Sequence, residues 1–139
     1  MSPTAIFWPV IAQVALTYAV YLLLAKRRYG VVRAGRVQAS AFRNRATEPE
    51  ESAVVANNIS NQFELPVLFY AVCLSLFATA GVNMLTVVLA WLFVLSRVAH
   101  AAVHVTTNTI RHRARAFQAG WLILGVMWAW FALHLAGLA

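Results

Sequence analysis

Four stretches of this chain are too apolar to face water. Residues 5–24 are broken only by Pro9, Gln13, Thr17 and a few tyrosines, and residues 65–82 carry no charge. Residues 82–103 carry no formal charge except Arg97, and residues 116–139 contain only Gln118 and His134 as polar interruptions. About twenty helical residues, rising ~1.5 Å each, cross the ~30 Å hydrocarbon layer of a bilayer. Each run reaches or approaches that length, and the short alternating segments of a β-barrel are missing from the sequence. Composition closes off a soluble fold. Of 139 residues, 62% are hydrophobic and 11% charged, against about a quarter charged in an ordinary soluble domain. A fold this small has too little interior to hide so much apolar surface. The expected fold class is an all-α membrane protein, a four-transmembrane-helix bundle forming one domain over residues 1–139. The first run reads as a retained span, because no positive charge precedes it and the basic residues follow it.

The charges sort by connection. Lys26, Arg27, Arg28, Arg33, Arg36, Arg43 and Arg45 separate the first and second runs, and Arg111, Arg113 and Arg115 separate the third and fourth. The N-terminal tip, the turn at residues 81–83 and the C-terminal end carry no Lys or Arg. Basic connections stay on the cytoplasmic side, so both termini are expected on the opposite side of an inner membrane. The formal charge of +7 does not point to nucleic acid, whose binders spread cations over a soluble surface. It suits anionic lipid headgroups. Cys73 is the single cysteine, which excludes an internal disulfide, and its apolar setting reads as packing.

The segment Thr47-Glu48-Pro49-Glu50-Glu51 has the signature of a helix start. Thr47 is placed to cap, Glu50 stands three residues on, and the acids suit the positive end of the helix dipole. With no breaker before Pro66, a helix is expected from about 48 to 80, bent where Pro66 removes a backbone hydrogen bond. On that continuous helix Asn57, Asn61 and Glu64 share one face. The third run carries a second polar stripe: Arg97, His100, His104, Asn108 and Arg111 fall within about 80° of one another if the helix persists. An arginine at membrane depth needs a partner, and Glu64 is the nearest acid by position. His100 and His104 have the i, i+4 spacing of a zinc pair, but Ala101 stands where a zincin has glutamate. No metal is expected.

These segments together resemble the MAPEG family, the membrane-associated proteins of eicosanoid and glutathione metabolism. The resemblance is carried by four spans in about 140 residues, by Asn61-Gln62-Phe63-Glu64 with Pro66 following, and by Arg97 on the third span. It implies a homotrimer with glutathione held between neighbouring subunits and open to the cytoplasm. Carried over residue by residue, Asn61, Glu64 and Arg97 match glutathione-holding positions, and Arg28 lies in the basic segment that meets its carboxylates. Arg111 falls where an arginine favours the thiolate. Asn57 stands where the eukaryotic enzymes carry arginine, and His100 and His104 stand where they carry tyrosine, a pattern closer to the bacterial branch. The expected cofactor-binding set is thus Arg28, Asn57, Asn61, Glu64, Arg97 and His100, with Arg111 and His104 catalytic.

The function this implies is a glutathione-dependent transferase or peroxidase for lipophilic electrophiles or hydroperoxides. Its partners are other copies of the chain, membrane lipids, glutathione and a lipophilic second substrate. Two alternatives use the same residues. One is a non-catalytic trimeric module binding a lipid or protein in the same crevice. The other is a proton or solute pathway along Arg97, His100 and His104, for which the chain lacks the usual inverted repeats.

Overall fold

The computed structural model describes residues 1–43 and 47–138; Arg45 and Ala139 lie outside the described residues. Five helices follow in order: α1 (Phe7–Arg33), α2 (Glu50–Gln62), α3 (Leu65–Ala78), α4 (Met84–Val105) and α5 (Ile110–Leu135). Short 3-10 turns at Pro3–Ile6 and Ala39–Arg43 lead into α1 and interrupt the long connection. No strand occurs among the described residues. Four helical units are long and apolar enough to cross a membrane: α1 with its leading turn, α2 and α3 taken as one, α4, and α5.

α1 runs well past the apolar stretch, so Lys26, Arg27, Arg28 and Arg33 sit on helix rather than loop. Long unbranched side chains favour helix, which continues through Gly30 and ends just before Gly35. There the backbone turns left-handed, with φ of 67°, and the amides of Gly35 and Arg36 return to the carbonyls of Val32 and Val31. This is the C-terminal closure that glycine makes possible.

The second unit differs from the continuous, bent helix expected. The chain breaks at Phe63–Glu64: the Phe63 amide folds back to Ser60, and α3 restarts with Pro66 in its first turn. A proline costs little there, because the amide it lacks would have no helical partner anyway, whereas inside a helix it costs about 3 kcal/mol. The start of α2 also differs. Pro49 caps it, the Thr47 hydroxyl donates to the Ala41 carbonyl, and Glu48 and Glu51 are engaged by arginines described below.

α4 lies at the centre, packed along α5 and against α1 and α2. It buries Val87, Ala90, Phe93, Val94, Arg97, His100, Ala101 and His104, every third or fourth residue. Phe69 of α3 stacks on Phe93 at 4.5 Å, within a core shared with Val72, Cys73, Leu76 and Met127. Between lipid-facing helices such close packing replaces the hydrophobic drive that water supplies to soluble folds.

At the end away from the basic connections, Phe7 meets Phe77 and His134 bonds the Thr79 carbonyl at 3.0 Å. Gly81 sits beneath that histidine. A methyl group there would lie 2.7 Å from His134 Cδ2 and 3.1 Å from Leu76 Cδ2. Gly81→Ala is therefore expected to displace His134 and lose its bond, lowering stability by about 1–3 kcal/mol. Gly30→Ala, with nothing within 4 Å of the new methyl, is expected to leave stability unchanged or raise it by up to ~1 kcal/mol. Thermal melts of both variants in one detergent compare the two directly.

Candidate functional site

The polar stripe of α4 turns inward, but only as far as the helix lasts. Arg97, His100 and His104 are all buried. α4 ends at Val105, and Asn108 adopts a left-handed conformation (φ 48°) that asparagine tolerates. Asn108 receives the Arg113 guanidinium at 2.8 Å. Arg111 then falls on the exposed first turn of α5. The stripe is three residues deep rather than five.

Facing it is a set of amides. Gln13 of α1 donates through Nε2 to Gln62 Oε1 (3.0 Å), and Gln62 Nε2 donates to Asn58 Oδ1 (3.1 Å). Asn58 Nδ2 donates to His104 Nδ1 (3.1 Å). Asn61 Nδ2 lies 3.3 Å from both His104 Nδ1 and His100 Nε2. His100 Nδ1 reaches the Arg113 carbonyl at 3.1 Å. Gln13, Asn58 and Gln62 are at most 1% exposed. A buried polar network of this kind fixes a unique packing only if its members are satisfied, and here one end is open: Gln13 Oε1 has no partner among the described residues.

Arg97 is more exceptional. It is 0% exposed, and Nε and both terminal nitrogens have no hydrogen-bond partner among the described residues. Its guanidinium lies 5.5 Å from the centroid of the Phe117 ring. That contact offsets only a small part of the cost of a buried charge. Glu64, the partner expected for it, is exposed at the break between α2 and α3. Its charge reaches Arg97, but no ion pair within 4 Å joins them among the described residues. Gly120 of α5 allows the close approach that covers Arg97: a methyl group there would lie 2.7 Å from Ser96 Oγ and 3.6 Å from Arg97 Cδ.

The basic end is braced by other arginines. Arg27 donates to the Val105 carbonyl at the close of α4 (2.6 Å) and to the Glu51 carbonyl (2.9 Å). Arg28 holds Glu48 with two bonds of 2.8 and 3.0 Å and lies over Phe42. Arg36 clasps Glu51 in the same two-pronged way at 2.8 and 2.9 Å. The Glu51 carboxylate holds the Arg36 guanidinium above its ordinary range. Lys26, Arg33, Arg111 and Arg115 are exposed.

A cavity of about 280 Å³ opens where these groups meet, lined by Asn61, His100, Ile110, Arg113, Phe117 and Gln118 among others. Of the residues singled out from the sequence, Asn61 and His100 line it, and Arg97 lies against its Phe117 wall. His104 joins through Asn61. Asn57 is exposed, its neighbour Asn58 taking the inward position, and Arg28 is committed to Glu48. Sequence reading missed Asn58, Gln62, Arg113, Phe117 and Gln118. A signal for the first two was present: amides at i, i+4 facing a lone glutamine in the first span. Among the described residues no three His, Cys, Asp or Glu side chains converge as metal ligands.

A helical bundle with four units able to span a membrane, and an arginine buried beside a polar cavity, marks a multi-pass membrane protein with a candidate polar site. The MAPEG family model matches residues 5–133, nearly the whole chain, and the chain belongs to the MAPEG family. That family includes glutathione transferases and peroxidases as well as non-catalytic members. No curated protein and no solved structure matches the chain.

Proposed function

We propose that this protein is a glutathione-dependent transferase or peroxidase acting on lipophilic electrophiles or hydroperoxides, working as a homotrimer. The basic end faces the cytoplasm of a bacterial inner membrane, and both termini lie on the other side. One observation carries the assignment: Arg97 is buried, and its three guanidinium nitrogens have no hydrogen-bond partner among the described residues. A cation so placed is tolerated when an anion completes it. Glutathione brings two carboxylates and an ammonium, which suit Arg97 and Arg113 on one side and Glu64 on the other. The cavity of about 280 Å³ falls at the small end of the ~300–1,000 Å³ typical of ligand sites. A second copy of the chain completes the site, and its basic segment around Arg28 faces the ligand, with Asn57 and His100 beside it.

Arg111 acts on the sulfur. A guanidinium beside a thiol lowers its pKa and raises the thiolate fraction. His104 is the second group assigned to act there. In conjugation the thiolate sulfur bonds an electrophilic carbon while that carbon's bond to its leaving group breaks. In the peroxidase branch the thiolate takes the terminal hydroperoxide oxygen, leaving an alcohol, and a second glutathione then gives the disulfide and water. Calorimetric titration with glutathione in detergent is expected to release heat and produce the ultraviolet thiolate band. Arg111→Ala keeps the heat and loses roughly tenfold or more of the band at neutral pH. Neither heat nor band in the native protein would sink the proposal.

A non-catalytic reading, in which a lipid or partner protein fills the same crevice, is favoured by the exposure of Arg111. Conjugating activity that vanishes with Arg111→Ala excludes it.

A further inference from the structure

The amide chain beside the histidines has a direction, and the direction dictates where the imidazole protons sit. An amide nitrogen only donates and a carbonyl oxygen only accepts. His104 Nδ1 faces two amide nitrogens, from Asn58 at 3.1 Å and Asn61 at 3.3 Å, so it must present a lone pair. Its proton is then on Nε2, which has no protein partner among the described residues. His100 is wired the other way. Its Nε2 faces the Asn61 amide nitrogen at 3.3 Å, while its Nδ1 faces the Arg113 carbonyl at 3.1 Å. It carries its proton on Nδ1 and has no nitrogen to spare. Two histidines one turn apart, with rings 5.6 Å from each other, are thus held neutral in opposite tautomers.

The residues that impose this on His104 stand behind it. Asn58 turns its nitrogen toward the imidazole because its oxygen is taken by Gln62 Nε2. Gln62 in turn is oriented by Gln13, whose Nε2 occupies Gln62 Oε1. All three are buried, so reversing any one amide alone sets donor against donor or acceptor against acceptor inside the bundle.

We propose that Asn58 and Gln62 are positioning residues that fix His104 as a hydrogen-bond donor: its Nε2–H is offered to the bound anion, and its lone pair is withheld from acid–base work. This rests on the glutathione assignment for the anion's identity and not for the relay itself. On that assignment His104 stabilises the thiolate by donation, leaving the thiol proton to solvent. His100 clips the first turn of α5, and so Arg113, to α4.

Selective ¹⁵N labelling of histidine in detergent-solubilised protein tests it, because two-bond correlations separate Nδ1–H from Nε2–H imidazoles. His112→Gln and His134→Gln remove the two other signals. The expected result without ligand is one Nε2–H imidazole, His104, and one Nδ1–H imidazole, His100. Asn58→Asp replaces the nearer of the two donors with a group that only accepts and is expected to draw a proton onto His104 Nδ1. If that variant does not fold, the native spectrum alone decides. A native His104 that is cationic, carries its proton on Nδ1 or is evenly mixed at neutral pH overturns the relay, as does a folded Asn58→Asp in which Nδ1 stays unprotonated. Adding glutathione is expected to shift the His104 Nε2 signal more than either His100 signal. Calorimetric binding without that shift overturns the donor role. No binding at all removes the functional assignment and the donor role together, and leaves the tautomers as the test of the relay.

Discussion

Arg97→Met is expected to make the protein more stable and, at the same time, unable to hold glutathione. The native guanidinium is wholly buried and its three nitrogens have no hydrogen-bond partner among the described residues, so the folded state carries most of its desolvation cost uncompensated. An unbranched apolar side chain of similar length keeps the contact with Phe117 and removes that cost. Replacing buried charge with well-packed apolar groups is often neutral or stabilising by about 1–4 kcal/mol. Losing the cation from a desolvated ion contact with ligand costs about 2–5 kcal/mol, a weakening of roughly thirtyfold or more. Thermal melts without ligand and calorimetric titrations measure the two halves. A structural arginine would give the reverse, with a lower melting point and affinity scarcely changed. Arg97→Lys should recover little of the binding, because an ammonium lacks the flat fork that grips a carboxylate.

Gly120 gives the second large effect. The added methyl of Gly120→Ala meets Ser96 Oγ at 2.7 Å, and that hydroxyl is engaged with the Phe93 carbonyl at 2.6 Å. The hydroxyl must rotate away or α5 must move off α4, which uncovers Arg97. A loss of about 1–3 kcal/mol follows, with weakened glutathione binding because Arg97 and Phe117 no longer meet squarely. Ser96→Ala removes the obstructing atom, so the double variant is expected to regain most of the stability. Gly125→Ala, with nothing within 4 Å of its methyl, is expected to be silent. If Gly120→Ala melts like the native protein, the contact between the helices at this point is looser than described.

The sequence made the spans legible because hydrocarbon thickness imposes a length and a composition that few other structures share. It also made Arg97, His100 and His104 legible as one inward face, since three residues at spacings of three and four keep that face on any unbroken helix. What it hid followed from where helices stop. Assuming continuity from 48 to 80 tied Glu64 to the face of Asn61, and projecting angles from Asn61 put Asn57 there as well. The break at Phe63–Glu64 detaches Glu64, and within the unbroken α2 the buried side is centred on Asn58 and Gln62, leaving Asn57 outside it. The turn after Val105 likewise removes Arg111 from the stripe and brings Arg113 to the cavity. Periodicity argues well within an element and poorly across its end, because the residues that end a helix act through local backbone geometry that a repeating pattern does not encode. Nor could spacing show that Arg28 would be claimed by Glu48, a contact between segments that only the folded chain brings together.

α1, at 27 residues, is about 40 Å long, longer than the fatty layer it crosses. Its apolar part, residues 5–24, matches that layer, and a thinner bilayer makes such a stretch lean. Any lean carries a load, since Gln13 in the first third of α1 holds the last residue of α2 and Arg27 holds the close of α4. Acyl-chain length in the host membrane therefore becomes a mechanical input: changing it tilts the one rod to which both the amide chain and the arginine brace are fastened.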